Sequence, residues 1–334
     1  MALHHAGCYD VRRTEAFLPV LRKGRRALDS AQFLRQLILR LADSPSVSRF
    51  VHQHDKALGA RRFFAGVTLE DAIATIRELN GQGILATLDH LGESVTKAEE
   101  AEVQANAYID VLHAIADAKV DANVSIKLTQ MGLDVGREEC LGNMRRIVAA
   151  ARESQNFVRI DMEDSQHVDA TLDVLFALRR DYDRIGTVLQ SYLYRTKNDL
   201  ERLIAEGVTV RLVKGAYLEP ESVAFPQKAD VDRNYLELVD MCLRRGHYVA
   251  IATHDEAIIQ KVEGWVKERN IPRDRFEFQM LYGIRSARQR ELAAAGYRVR
   301  CYVPYGTDWY AYFMRRLAER PANVGFFLRG FFGK

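Results

Sequence analysis

The run Ile84-Leu-Ala-Thr-Leu88, the helical stretch Ala98 to Ala118 behind Thr96-Lys-Ala-Glu99, and the run Val124-Ser-Ile-Lys-Leu128 decide the fold. The two outer runs are short and apolar, as strands buried on both faces are, and the stretch between them has helical periodicity. Thr96 and Glu99 have the spacing of a capping box, which predicts the start of that helix. Working outward, the same alternation recurs. Further runs stand at Phe157 to Met162, Thr187 to Gln190, Val208 to Val213, Tyr248 to Thr253, Phe276 to Met280 and Tyr297 to Val303. Eight runs alternating with helical stretches over roughly 240 residues predict an α/β fold of the (βα)8 barrel type in preference to an open doubly wound sheet.

Upstream of Gly83 the pattern is helical. Asp29 or Ser30 can cap a segment whose Phe33, Leu34, Leu37, Ile38 and Leu41 recur at helical spacing, and Pro45 follows its end. Arginines dominate its other face, as in a transit peptide, but Asp10, Glu15, Asp29 and Asp43 interrupt the acid-poor character such a peptide needs. Thr68-Leu-Glu-Asp71 opens a second helix with Leu69, Ile73, Ile76 and Leu79 inward, stopped by Asn80-Gly81. The expected organisation is an N-terminal helical segment, residues 1–80, packed on a barrel of residues 81–334 that includes a C-terminal tail.

Composition excludes several classes of function. Of 334 residues, 48% are apolar and 28% charged, which suits a folded chain. Lys plus Arg is 48 against 45 for Asp plus Glu, so the net charge of +3 leaves no basic excess for nucleic acid. Cys8, Cys140, Cys242 and Cys301 lie far apart, which suggests neither a zinc ribbon nor a disulfide framework and fits a reducing cytosol. No metal site is expected. No apolar run approaches the ~18 residues of a membrane span, and the N-terminus lacks an apolar h-region, so a cytoplasmic location is expected.

In a (βα)8 barrel the chemistry sits at the C-terminal ends of the strands. Those positions hold Asp89, His90 and Glu93, then Lys127, Asp161, Glu163, Gln190, Arg211, Lys214, Thr253, His254, Gln279 and Tyr302. A barrel packed only for stability would place Val, Ile and Leu there, so charged residues at nearly every strand end need a ligand or one another. Gly81-Gln-Gly83-Ile-Leu-Ala86 matches a dinucleotide fingerprint in letters, but it follows a helix and opens a strand, the reverse of what phosphate binding requires. His52-x-His54 lies in a helical segment, where such positions point apart, and reads as a surface pair.

Two segments carry more. Tyr302-Val-Pro-Tyr-Gly306 ends the last strand, Thr307 or Asp308 caps a helix, and Tyr312, Arg315, Arg316 and Glu319 form one stripe on it. That stripe is either a solvated face or a pair of guanidinium forks for a carboxylate or phosphate. In Val208-Thr-Val-Arg211-Leu-Val-Lys214-Gly-Ala-Tyr217-Leu-Glu-Pro220 two cations are followed by Gly-Ala, where the backbone can approach a ligand closely. The other reading pairs Arg211 and Lys214 with Asp161 and Glu163 across the barrel.

These motifs together resemble the proline dehydrogenase family of the monofunctional bacterial type. The matching pieces are Asp89-His-Leu-Gly-Glu93, Ser125-Ile-Lys127-Leu, Arg159-Ile-Asp161-Met-Glu163, Leu189-Gln190-Ser-Tyr, Arg211-Leu-Val-Lys214-Gly-Ala-Tyr217, Ala252-Thr253-His254, Phe276-Glu-Phe-Gln279-Met-Leu-Tyr-Gly283 and Tyr312-Phe-Met-Arg315-Arg316-Leu-Ala-Glu319. They run in order over about three quarters of the chain, and the first 50 residues match nothing. The resemblance implies an enzyme that oxidises L-proline to Δ1-pyrroline-5-carboxylate, with hydride passing to flavin N5 of FAD and electrons to a membrane quinone. It implies that Met162, Gln190, Arg211, Val213, Lys214, Gly215, Ala216, Thr253 and His254 contact FAD. The implied substrate set is Lys127, Asp161, Leu212, Tyr217, Tyr302, Arg315 and Arg316, with Glu93 closing the site by pairing with Arg315.

On this assignment Lys127 and Asp161 form a charge pair at the floor, Arg315 and Arg316 grip the carboxylate, and Arg211 stabilises negative charge on the reduced flavin. Leu212, Tyr217 and Tyr302 exclude water. Two alternatives are a Schiff-base aldolase using Lys127 or Lys214 and a catalytically inactive barrel that serves as a scaffold. The tail Val324-Gly-Phe-Phe-Leu-Arg-Gly-Phe-Phe-Gly-Lys334 has the composition of a bilayer-interface segment and equally that of a cover for the barrel, and it raises the expectation of peripheral contact with the inner face of the cytoplasmic membrane.

Overall fold

The computed structural model describes residues 38–319, apart from 39, 43, 56, 57 and 93, and leaves the side chain of Glu319 out. The proposed cap at Asp29 or Ser30, the gate residue Glu93 and the tail 324–334 therefore lie outside the described residues. Eight parallel strands close into a barrel in chain order: β1 (Leu85–His90), β2 (Ala122–Ile126), β3 (Val158–Ile160), β4 (Ile185–Gln190), β5 (Val210–Val213), β6 (Val249–Ala252), β7 (Phe276–Leu281) and β8 (Val299–Tyr305). Closure is made by β1 on β8, in register from Leu85 opposite Arg300 to His90 opposite Tyr305. Each of the eight apolar runs overlaps one of these strands.

The helices are α1 (Pro45–Gln53), α2 (Leu69–Gly81), α3 (Ala98–Ala118), α4 (Arg137–Glu153), α5 (Val168–Arg179), α6 (Thr196–Ala205), α7 (Lys228–Arg244), α8 (Glu256–Glu268), α9 (Ser286–Ala294) and α10 (Trp309–Glu319). Their start signals work unequally. The Thr68 hydroxyl accepts the Asp71 N–H at 3.2 Å, as a cap should. The capping box expected at Thr96 and Glu99 does not form: α3 begins after Lys97, and the Thr96 N–H meets the Glu100 carboxylate instead. Glu99 and Glu100 still lie in the first turn of α3, where the helix dipole favours carboxylates.

Two apolar clusters hold the chain together. The larger joins strand residues such as Leu88, Ile126, Ile160, Leu212, Ile251 and Phe278 to the inner faces of α2 to α9. The smaller is built from Ile38, Val47, Val51, Ala60 and Phe64 packed on Leu91 and on Trp309, Phe313, Met314 and Leu317 of α10. Phe64 stacks on Trp309 with ring centres 5.0 Å apart, and the Tyr310 hydroxyl donates to the Ala42 carbonyl at 3.0 Å. The segment before the barrel thus fastens the helix that carries Arg315 and Arg316. His52 and His54 lie at the end of α1, where His52 meets the edge of Trp309 at 4.8 Å.

Candidate active site

Side chains alternate across each strand, so Asp161, Arg211, Val213, Gln279, Leu281 and Tyr302 all turn to the barrel interior at its C-terminal end. They line a cavity of about 510 Å3. This is the size range of small-molecule and cofactor sites.

Its floor is a set of pre-formed pairs. Asp161 accepts three hydrogen bonds, from Ser125 Oγ at 2.6 Å, Arg211 Nη1 at 2.7 Å and the Tyr302 hydroxyl at 2.9 Å. Burial and the Asp161 charge push the Tyr302 pKa well up, so its hydroxyl keeps its proton and donates. Lys127 pairs with Asp89 at 2.9 Å, and not with Asp161 as expected from the sequence. Burial alone would lower the Lys127 pKa; Asp89 and then Asp161 outweigh it and raise it, so the amine stands in the pocket as an ammonium. Asp89 is itself 1% exposed and takes a second contact from the Tyr108 hydroxyl.

The wall continues through β4 to β7. Met162, Gln190, Val213, Lys214, Gly215, Ala216, Thr253 and His254 all line the cavity. Gln190 Nε2 donates to the Glu163 carbonyl at 2.8 Å, and the Leu281 N–H donates to His254 Nε2 at 3.0 Å, which fixes that ring. Lys214 is held between Asp232 at 2.5 Å and Asp255 at 2.8 Å. Gly215 has φ 117°, and a Cβ there would lie 2.4 Å from the Tyr192 ring, so only glycine fits. Among the described residues, Arg211 Nε and Gln279 Oε1 are buried at this wall with no hydrogen-bond partner. A donor and an acceptor left open in a cavity that glycine and alanine also line suit the polar edge of a planar cofactor ring.

The rim is looser. Arg316 lines the cavity, and its guanidinium lies 5.3 Å from the Tyr312 ring centre. Arg315 is exposed on the same helix and bears electrostatically on Tyr217. Tyr217 also lines the cavity, although it is 41% exposed, on the loop after β5. Glu219 ties that loop to β3, accepting the Ser165 N–H at 2.7 Å and the Ser165 hydroxyl at 2.5 Å.

Two expected substrate residues do not line the pocket, Arg315, which is exposed on α10, and Leu212. Leu212 is fully buried in the main core; with Arg211 and Val213 turned inward on β5, alternation turns Leu212 toward the helices. Leu281, two positions after Gln279 on β7, takes the apolar place at the cavity wall. The sequence also left Val188, Ala252, Asp255 and Met280 unassigned, all of which line it. Of the two readings of Arg211 and Lys214, internal pairing holds for Arg211 with Asp161, whereas Lys214 takes Asp232 and Asp255 and Glu163 is bound by the Thr129 N–H and hydroxyl. Among the described residues no group of three His, Cys, Asp or Glu is placed to hold a metal, and no helix is long and apolar enough to cross a membrane.

Comparison with known proteins gives a consistent result. The profile of the proline dehydrogenase family matches residues 72–329. Proline dehydrogenase 1 of Bacillus subtilis strain 168 is 44% identical over 301 residues, covering 90% of this chain and 100% of its own. Proline dehydrogenase of Deinococcus radiodurans is 45% identical over 304 residues, covering 90% and 98%. Among solved structures, proline utilization A from Bdellovibrio bacteriovorus inactivated by N-propargylglycine superposes with a TM-score of 0.76 at 24% identity, over 90% of this chain and 38% of that one, and supports the fold.

Proposed function

The chain belongs to the proline dehydrogenase family and catalyses proline oxidation, and we propose that it does so on FAD held against the β4 to β6 wall, yielding Δ1-pyrroline-5-carboxylate. The observation that carries the cofactor assignment is the unpartnered Arg211 Nε in a cavity that Gly215 and Ala216 also line. When bound, FAD supplies the two-electron acceptor. The remaining work falls to the side chains.

The ring carbon next to nitrogen must give up a hydride and the amine a proton, so the substrate has to lie face-on and dry. Arg316 offers its guanidinium to the carboxylate, Arg315 adds a second cation from the rim, and Lys127, paired with Asp89, stays at the floor. Leu281, Tyr217 and Tyr302 supply the walls that keep water out. Asp161 holds Tyr302 and Arg211 in place, and Arg211 faces the charge that accumulates as hydride leaves. Glu93 closes over Arg315. The aldolase alternative is disfavoured because Asp89 holds Lys127 as a cation, whereas Schiff-base chemistry needs a neutral amine, and because the Lys214 amine is engaged by Asp232 and Asp255.

We read the chain as an N-terminal segment, residues 1–80, ahead of a catalytic body of residues 81–334. Electrons go on to a membrane quinone, reached from the cytoplasmic side through the apolar tail 324–334. Truncation after Asn323 should abolish oxidation coupled to liposome-embedded quinone while a soluble dye is still reduced; equal loss of both, with a lower melting temperature, would make the tail part of the fold. The central test is anaerobic addition of proline to the purified protein. Bleaching of a bound flavin is expected, and borohydride trapping of a carbonyl substrate on Lys127 or Lys214 would favour the aldolase instead.

A further inference from the structure

Four cations, Lys127, Arg159, Arg211 and Arg300, enter the strand ring or its mouth, and three have carboxylate partners. Lys127 has Asp89, Arg211 has Asp161 at 2.7 Å, and Arg300 has Glu277 at 2.9 Å. Arg159 forms no ion pair among the described residues. It is 3% exposed; its Nη1 donates to the carbonyls of Thr187 at 2.9 Å and Thr209 at 2.8 Å, and its guanidinium lies 4.7 Å from the Phe157 ring centre. Its Nε is buried without an acceptor. The space is reserved for it, since a Cβ at Gly186 would come within 2.7 Å of Arg159 Nη1.

Carbonyls solvate a buried guanidinium but leave its charge uncancelled. Arg159 stands two residues before Asp161 on the same face of the strand, one layer or about 6.6 Å below the pocket floor. Burial and the like charge of Arg211 push its pKa down to about 9, which still leaves it charged near neutrality. Arg211 is matched by Asp161, and Glu277, paired with Arg300, also bears on Arg159, so these three arginines carry one positive charge more than the two carboxylates facing them. A fixed cation in a low-dielectric interior favours the state of a nearby ring that has gained negative charge.

We propose that Arg159, which has no ion pair of its own among the described residues, supplies the excess positive charge that raises the reduction potential of the flavin in this site, without touching flavin or proline. The inference rests on the FAD reading above. Its test is the two-electron midpoint potential of the flavin-loaded enzyme and of Arg159→Met, Arg159→Gln and Arg159→Lys. Loss of the charge should shift the reduction equilibrium about tenfold toward the oxidised form, a fall of about 30 mV. Arg159→Lys should stay near the parent potential, and flavin occupancy should be unchanged in all three. If the methionine variant does not fold, Arg159→Gln retains donors for the two carbonyls and reads the same shift. A flavin-loaded Met or Gln variant at the parent potential would overturn the proposal, as would a lysine variant that falls as far as they do. A parent enzyme that takes up no flavin would overturn the cofactor reading and this inference with it.

Discussion

The floor and the rim of the pocket use the same kinds of cation in different settings. At the floor, Arg211 and Asp161 have side chains only 5% and 12% exposed and reach each other across the barrel from β5 and β3. At the rim, Arg315 is exposed and Arg316 half-buried on α10, a helix fastened by the smaller apolar cluster and not by the strand ladder. A charge fixed by strands, with its partner already in place, is pre-organised for the moment of reaction. A charge on a helix face at the solvent boundary is placed to meet a ligand that brings its own counter-charge. The floor should therefore govern the rate and the rim the affinity.

The largest expected effect is at the centre of the floor. Asp161→Ala leaves Arg211 buried without its counter-ion and should cost about 3 to 5 kcal/mol, seen as a fall of some two to three orders of magnitude in kcat/KM and a lower melting temperature. An active, equally stable variant would mean that the floor is not pre-organised. Deeper in the barrel, Arg300 beside Glu277 outweighs the effect of burial and brings the Glu277 pKa down to about 2. Because the folded pKa is depressed, the pair stabilises fully above the unfolded carboxylate value and is lost as pH falls toward 2, a contribution of about 3 kcal/mol. Urea unfolding of the parent and Glu277→Gln should differ by a steady amount above about pH 5 and converge as pH falls toward 2; a difference that persists unchanged through that fall would contradict the assignment.

At the rim, Arg316→Met should weaken proline binding by about 2 to 3 kcal/mol, and Arg315→Met by less, with flavin content preserved. Unchanged KM in both variants would remove the carboxylate role. The smallest effect separates two leucines. Leu281→Ala should raise KM several-fold, whereas Leu212→Ala should leave KM alone and reduce stability by about 2 to 5 kcal/mol, measured by urea unfolding. The opposite pattern would reverse their assignment.

The barrel was legible because eight buried runs alternate with helical periodicity, and that pattern depends only on neighbours in the chain. The inward residues at the strand ends were legible for the same reason. Their partners were not: Lys127 has Asp89 on one neighbouring strand and Asp161 on the other, and cross-strand reach decides between them. Leu212 does not line the cavity, and strand alternation carries that signal, since Arg211 facing inward places Leu212 outward by the period of two. Arg159 was legible only as the first residue of a matching motif, and its setting was not. Its isolation follows from where Glu277 and Arg300 find each other, and no local pattern records that.

Stopped-flow reduction of the bound flavin by proline tests the division between floor and rim most directly, because it separates the apparent proline Kd from the limiting reduction rate. Arg316→Met should raise the Kd with the limiting rate nearly unchanged, and Arg211→Met should lower the limiting rate more than it raises the Kd. If Arg211→Met instead changes only the Kd while Arg316→Met slows the limiting rate, the floor binds and the rim reacts, which contradicts the division of roles between them.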